Sequence, residues 1–297
     1  MPKMTTSRVS RLVFPYLCLL PAAALMGWVL LLPIARTFVN AFCELDRYGN
    51  RLSFAGLENF RLTWADEQFR FAFSNTAIWT FSVVILTLAI SLPASLLLHR
   101  RFALRRVARA VLVLPWASSL VISSIVWRYI FDGEVGPFNA LLLKLHIIQQ
   151  PIFWLGQRGT SFPAMIGVAV FVSIPFTTIV FLAGLQAIPG ELYEAARVDG
   201  ASPWRSFLNV TMPHLRNVFA IATVINVIYV FNSFPIVWTM TGGGPANTTD
   251  IAMTYLYRKA FTDNQFAVAS AQAVIVFLAL LAFSVLYGRL LQRGDEQ

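Results

Sequence analysis

Two groups of residues in this 297-residue chain have types and spacing that bear on chemistry. The first is a polar passage from Glu191 to Pro213, set between two apolar segments. Pro189 and Gly190 break the preceding helix, and Glu191 and Glu194 fall in the first turns of the next, where the positive end of the helix dipole favours acids. Gly200 can take the left-handed conformation that ends a helix. Ser202 and Pro203 then supply an N-cap and a first helical residue, and Pro213 is expected to close the unit. Ala195 and Ala196 keep one face small, so that another protein's backbone can approach it. Two short helices with this pattern suit recognition by a partner, and equally an amphipathic hairpin lying on a membrane. The second group is Ser173 and Phe176 in one apolar run with Asn226, Tyr229, Asn232 and Ser233 in the next. Hydroxyl, amide and aromatic groups inside such runs suit a wet cavity for a neutral, hydroxyl-rich solute. They suit interhelical hydrogen bonds worth about 1 kcal/mol just as well.

Other chemistries lack their residues. No Gly-rich loop is followed by Lys-Ser/Thr, so no ATP hydrolysis is expected of this chain. Gly242-Gly243-Gly244 follows an apolar run, with no strand before it, and reads as a tight turn ended by Pro245. His99, His146 and His214 are scattered, and no nucleophilic triad or carboxylate pair is arranged around them. Cys18 and Cys43 have neither metal-ligand spacing nor a disulfide framework. No catalytic residue, metal site or cofactor is therefore assigned to the chain. The interiors of the apolar runs also lack Asp, Glu and Lys, which ion-coupled carriers need for charge relay. Arg36 and Arg128 sit toward run ends and can reach the interface.

The elements that position these residues follow from composition. Hydrophobic residues make up 57% and charged residues 12%. That is about half the charge of a soluble domain. The apolar runs are long and continuous, not alternating at period two, so the expected class is an all-α integral membrane protein. Six spans are predicted, at about 13–42, 71–98, 107–131, 162–187, 218–240 and 266–290, with a loop at 188–216, and residues 1–297 read as a single domain. Each run exceeds the roughly 20 residues that cross hydrocarbon. The first is too long for a signal peptide and lacks a small-x-small cleavage site. The net charge of +9 does not point to nucleic acid, because the basic residues cluster at the ends of apolar runs. Arg100, Arg101, Arg105, Arg106 and Arg109 make the second-to-third loop strongly cytoplasmic. Lys3, Arg8 and Arg11, the loop with Arg197, Arg205 and Arg216, and the tail with Arg289 and Arg293 fall on that side, so both termini are expected in the cytoplasm. Pro93, Pro115, Pro175 and Pro235 mark potential kinks, and Ala267, Ala269, Ser270, Ala271 and Ala273 permit tight helix packing.

The spacing Glu194-Ala195-Ala196, three residues, Gly200, nine residues, Val210-Thr211-Met212-Pro213 resembles the cytoplasmic EAA loop of ABC importer permeases. Val210 and Met212 stand where that pattern has other apolar residues. Gly56-Leu57-Glu58-Asn59-Phe60, Asn75-Thr76, Leu185-Gln186-Ala187-Ile188-Pro189 and Thr239 to Thr249 resemble the carbohydrate-importing, maltose- and glycerol-phosphate-like branch of the family. The resemblance implies a type I importer fold. Glu194, Ala195, Ala196, Gly200 and Pro213 would then belong to a coupling helix seated in an ATPase subunit. It further implies a second permease subunit, as a heterodimer, and two ATPase subunits that bind ATP and Mg. A periplasmic or lipid-anchored solute-binding protein would complete the system in a bacterial cytoplasmic membrane. The expected function is import of a sugar or sugar-derived solute by alternating access; an ion-coupled secondary carrier is the alternative. Alignment on the maltose-type members places Asn226, Val230 and Ser233, and Ala169, Val172, Ser173 and Phe176, at solute-contact positions, several of them apolar here.

Overall fold

A chain with so few charges must pair its backbone groups internally, and helices do this within each segment. The computed structural model describes residues 8–100 and 102–295, with side chains from Tyr16 to Leu290. Lys3 and Arg101 lie outside the described residues, as do the side chains of Arg8, Arg11 and Arg293. In chain order the elements are α1 (Arg8–Met26), a π-helical turn (Gly27–Leu31), α2 (Leu32–Ala41), β1 (Cys43–Leu45), β2 (Arg51–Phe54), α3 (Glu58–Ala65), α4 (Glu67–His99), α5 (Arg105–Ala117), α6 (Leu120–Ile130) and α7 (Pro137–Lys144). There follow α8 (Arg158–Ala187), α9 (Gly190–Val198), α10 (Pro203–Ser206), a second π-helical turn (Phe207–Thr211), α11 (Met212–Phe231), α12 (Phe234–Met240), α13 (Ala252–Phe261) and α14 (Phe266–Asp295). The fold is an all-α integral membrane architecture with one short hairpin. Five helical segments are long and apolar enough to cross a membrane, and α5 with α6 make a sixth if the bent pair is one span.

The described residues form two compact units, one running through Ala65 with Tyr257–Ile275, the other Asp66–Leu256 with the residues from Val276 on. In the first, the apolar side chains from Tyr16 to Leu31 are largely exposed, as a surface facing lipid requires. The β1–β2 hairpin turns at Asp46, whose carboxylate accepts from the backbone N–H groups of Tyr48 and Asn50 and from the Asn50 amide. The Asn50 side chain, then these backbone donors, hold the Asp46 carboxyl below its ordinary pKa. Asn59 is buried and donates to the carbonyls of Ala41 and Cys43 at 3.0 and 2.9 Å. The Gly-Leu-Glu-Asn-Phe passage thus has a local job: Asn59 pairs the carbonyls left where α2 ends.

In the second unit α4 packs along α8, and α11 packs against both. Their contact buries Trp79, Val83, Met165, Val168 and Val230. The close approach of α8 and α11 depends on Gly184, where a Cβ would lie 2.6 Å from Val218. Hydroxyls along these helices return their protons to carbonyls one turn back, as in Thr76 to Ala72 and Ser173 to Ala169. At the other end of α4, Arg105 and Arg109 donate to the Leu98 carbonyl at 2.7 and 3.3 Å. Two of the arginines of this basic loop therefore also cap a helix C-terminus.

Three expectations are corrected. The run at 107–131 is not one straight helix: α5 and α6 meet at 97°. Pro115 removes a backbone donor, and Ser118 leaves the helix and bonds the Pro115 carbonyl through its Oγ at 2.8 Å. The run at 218–240 breaks at Asn232 and Ser233, where Pro235 falls in the first turn of α12. Pro213 does not close the preceding unit; it sits in the first turn of α11, which continues directly from the π turn at Phe207–Thr211. Pro93 and Pro175 lie inside unbroken helices.

The first turns of α4 hold the segment between α12 and α13. Asn75 donates to the carbonyls of Thr248 and Asp250, both at 3.0 Å, and Thr76 Oγ1 accepts from the Ala252 N–H at 2.8 Å. Tyr255 donates its hydroxyl proton to Asp66 at 2.6 Å. Replacing Asn75 by Leu leaves two carbonyls without their donor, a loss of about 1–3 kcal/mol. Thermal unfolding in detergent should show a lowered midpoint for Asn75→Leu, with protease cleavage appearing first near Thr248.

Candidate functional site

The passage from 190 to 206 is built by local signals. Ile188 and Pro189 are extended, so α8 stops at Ala187 and α9 starts at Gly190 with Glu191 in its first turn. Gly200 has φ of +73°, the Gly200 N–H bonds the Arg197 carbonyl, and the Ala201 N–H bonds the Ala196 carbonyl. This is a Schellman ending. A Cβ at Gly200 would meet no atom within 4 Å, so the demand for glycine there is purely one of backbone conformation. Ser202 Oγ accepts from the Arg205 N–H at 3.3 Å, with Pro203 opening α10.

The surface this makes is open. Glu194 and Arg197 lie 3.8 Å apart with side chains 72% and 71% exposed. Such a pair contributes little in water, well under about 1 kcal/mol. Leu192, Ala195 and Val198 are also exposed, and Val198, at 88%, is the most exposed large apolar side chain among the described residues. Ala195 and Ala196 line a hollow of about 400 Å³ closed by Ala201, Arg205 and Asn209. The Tyr193 hydroxyl lies 3.0 Å from Thr211 Oγ1, tying α9 to the base of α11. Glu194, Ala195, Ala196 and Gly200 therefore share one short unit. Pro213 belongs to the helix that leaves it. The sequence reading passed over Val198, although an apolar residue in a polar passage was a usable signal.

Higher along α11 lies a narrow cleft of about 190 Å³. Ser173, Phe176, Asn226 and Tyr229 line it, together with Trp116, Val172 and Ile225. The Trp116 and Phe176 rings stack at 6.2 Å and 25°. Trp116 is brought there by the end of α5, and the sequence reading missed it; a Trp beside a helix-breaking Pro was the available sign. Asn226 is buried, donating to Thr177 Oγ1 at 2.9 Å and to the Ala222 carbonyl at 2.8 Å. Its amide thus clamps α11 to α8 while its edge lines the cleft. Asn232 and Ser233 are not in the cleft: Asn232 donates to the Ile228 carbonyl at the end of α11, and Ser233 is buried at the break. Ala169 and Val230 are in the packed core, so of the apolar aligned positions Val172 and Phe176 reach the cleft.

Residues 88–294 match the family described as the binding-protein-dependent transport system inner membrane component. The chain belongs to that family. Its relatives include a probable ABC transporter permease protein of Brucella suis biovar 1, 43% identical over 282 residues that cover 95% of the permease and 98% of the relative. The trehalose/maltose transport system permease protein MalF of Thermococcus litoralis is 31% identical over 272 residues, 92% of the permease and 91% of MalF. Among solved structures, a bacterial ABC transporter involved in importing the acidic polysaccharide alginate matches with a TM-score of 0.86 at 22% identity, covering 96% of the permease and 97% of that chain. The last match establishes the shared fold. The alternative of an ion-coupled secondary carrier draws no support from the family or from these relatives.

Two outcomes follow for the permease. Gly200→Val forces a β-branched residue into the left-handed region, at about 1–2 kcal/mol; amide exchange should speed up in 195–201 while the spans stay protected. In a double-mutant cycle, Thr177→Val and Asn226→Leu should couple by about 1 kcal/mol in the unfolding free energy, as interhelical hydrogen bonds in membranes do.

Proposed function

We propose that this permease is one of two membrane subunits of an ATP-driven importer for a sugar or sugar-derived solute, working by alternating access. The observation that carries the reading is the exposed unit of α9 and α10. It presents Glu194, Ala195 and Ala196 beside Leu192 and Val198, with Gly200 at its turn, in a chain of a binding-protein-dependent family. In this reading the unit is a coupling helix. Its apolar face enters a cleft of a separate ATPase subunit, and Glu194, only weakly held by Arg197, is available to a basic residue there. The placement of the arginines supports a cytoplasmic position for this unit and both termini.

Transmission follows from the geometry. The Tyr193–Thr211 contact and the π turn join the unit to α11, and α11 carries Asn226 and Tyr229 to the cleft. At 1.5 Å per residue the helix spans roughly 20 Å between these points. Movement of the cytoplasmic end is thereby delivered to the residues that face solute. The stacked Trp116 and Phe176 offer an aromatic surface to the C–H face of a sugar ring, and Tyr229 and the edge of Asn226 offer hydrogen bonds. The trehalose/maltose permease among the relatives supports this substrate class. Two ATPase subunits would bind ATP and Mg. A second, different permease subunit and a solute-binding protein outside the membrane complete the assembly.

The test separates coupling from solute handling. Glu194→Lys should leave the permease in the membrane while reducing co-purification of the ATPase by tenfold or more. Trp116→Ala should keep ATPase association and lower solute uptake by a similar factor. Normal uptake and assembly in Glu194→Lys would contradict the coupling role. Uptake under an ion gradient by the permease reconstituted alone would contradict the importer reading.

A further inference from the structure

A third and larger cavity, of about 1150 Å³, lies where the end of α4 meets the α9–α10 unit. The proposed transport cycle uses two of its lining residues, Tyr193 and Thr211, for their contact with each other, and leaves the cavity itself without a role. Its walls differ in chemistry. Leu92 and Leu96 on α4 and Leu185 on α8 make one part apolar. Arg100 and Arg197 bring positive charge, and no Asp or Glu is among the lining residues. Trp204, 67% exposed, stacks with Phe207 at 5.5 Å at the same mouth.

We infer that this cavity holds an anionic phospholipid of the leaflet on the Arg100 side, its phosphate between Arg100 and Arg197 and its upper acyl chain against Leu92 and Leu96. Charge complementarity selects the occupant: Arg100 and Arg197 face a lining without Asp or Glu, and the exposed Glu194 at 3.8 Å holds Arg197 only weakly, so anionic headgroups are attracted at about fivefold in binding per available basic residue. An exposed Trp at that level is the side chain that favours the membrane–water boundary. Size argues for an amphiphile over a free anion: the cavity exceeds the roughly 300–1,000 Å³ of pockets that enclose drug-sized ligands. A lone phosphate would leave the leucine wall uncovered. The bound lipid touches Tyr193 and Arg197 of the α9 helix, so it would act as a wedge between the spans and the coupling unit. The inference rests on the proposed function only for the leaflet, which is the cytoplasmic one in that reading.

The experiment uses the full chain in phosphatidylcholine nanodiscs containing a small share of phosphatidylglycerol, with bound phosphatidylglycerol counted by native mass spectrometry. Wild type should retain it selectively, and Arg100→Gln should weaken retention roughly fivefold. Trp204→Ala should also weaken it. Arg106→Gln, in the adjoining helix but outside the cavity, should not, and millimolar inorganic phosphate should not displace the lipid. Four results would overturn the inference: unchanged retention in Arg100→Gln, equal loss in Arg106→Gln, displacement by inorganic phosphate, or loss of the lipid from wild type once an ATPase partner is assembled. A wild-type chain that retains the lipid but binds no ATPase would overturn the proposed function and leave this inference standing.

Discussion

Hydrocarbon offers no water to an unpaired peptide group, and this constraint decides the architecture wherever the chain stops being helical. Several departures are repaired by a particular side chain. Asn59 pairs the carbonyls of Ala41 and Cys43, and Asn75 pairs those of Thr248 and Asp250. Arg105 and Arg109 meet the Leu98 carbonyl where α4 ends, Ser118 meets Pro115 at the sharp bend, and Asn232 meets Ile228 where α11 stops. Most of the conspicuous polar residues in this apolar chain are therefore partners for backbone. Few are left to act on anything else.

Those few lie beside the breaks, and the breaks explain how they come together. Trp116, in the last turn of α5 beside the bend, stacks on Phe176 of α8. The Gly200 turn lets α9 fold back so that Tyr193 reaches Thr211. The π turn at Phe207–Thr211 then merges into α11 without interruption. One continuous helix thus connects an exposed surface at one end with the cleft lined by Asn226 and Tyr229 at the other. Force applied to the α9 unit has a mechanical route to Asn226 and Tyr229 that does not pass through a loop.

Much of this was legible in the residues. The spans were visible because apolar runs of this length have few other uses, and the α9–α10 unit was visible because Gly200, Ser202 and Pro203 each have strong conformational preferences. The 97° bend was not, because hydropathy along 107–131 stays high through the break. Pro213 misled because proline commonly ends a helix, whereas here it lies within the continuous helical segment Pro203–Phe231, directly after a π turn that has no simple sequence signal. Asn232 and Ser233 were grouped with the cleft residues because polarity alone does not distinguish a cleft from a helix end. Trp116, Thr177 and Val198 were missed for the converse reason: their roles depend on which neighbour each meets, and that is set by packing.

The central claim is that the α9 unit is the surface through which an ATPase moves the permease. Ala195→Cys, in a chain with Cys18 and Cys43 replaced by Ser, tests it with a membrane-impermeant thiol reagent. The account predicts labelling in inside-out vesicles but not in intact spheroplasts, and protection when the ATPase subunits are bound. Labelling from the outside of intact spheroplasts, or labelling indifferent to the presence of the ATPase, would contradict it.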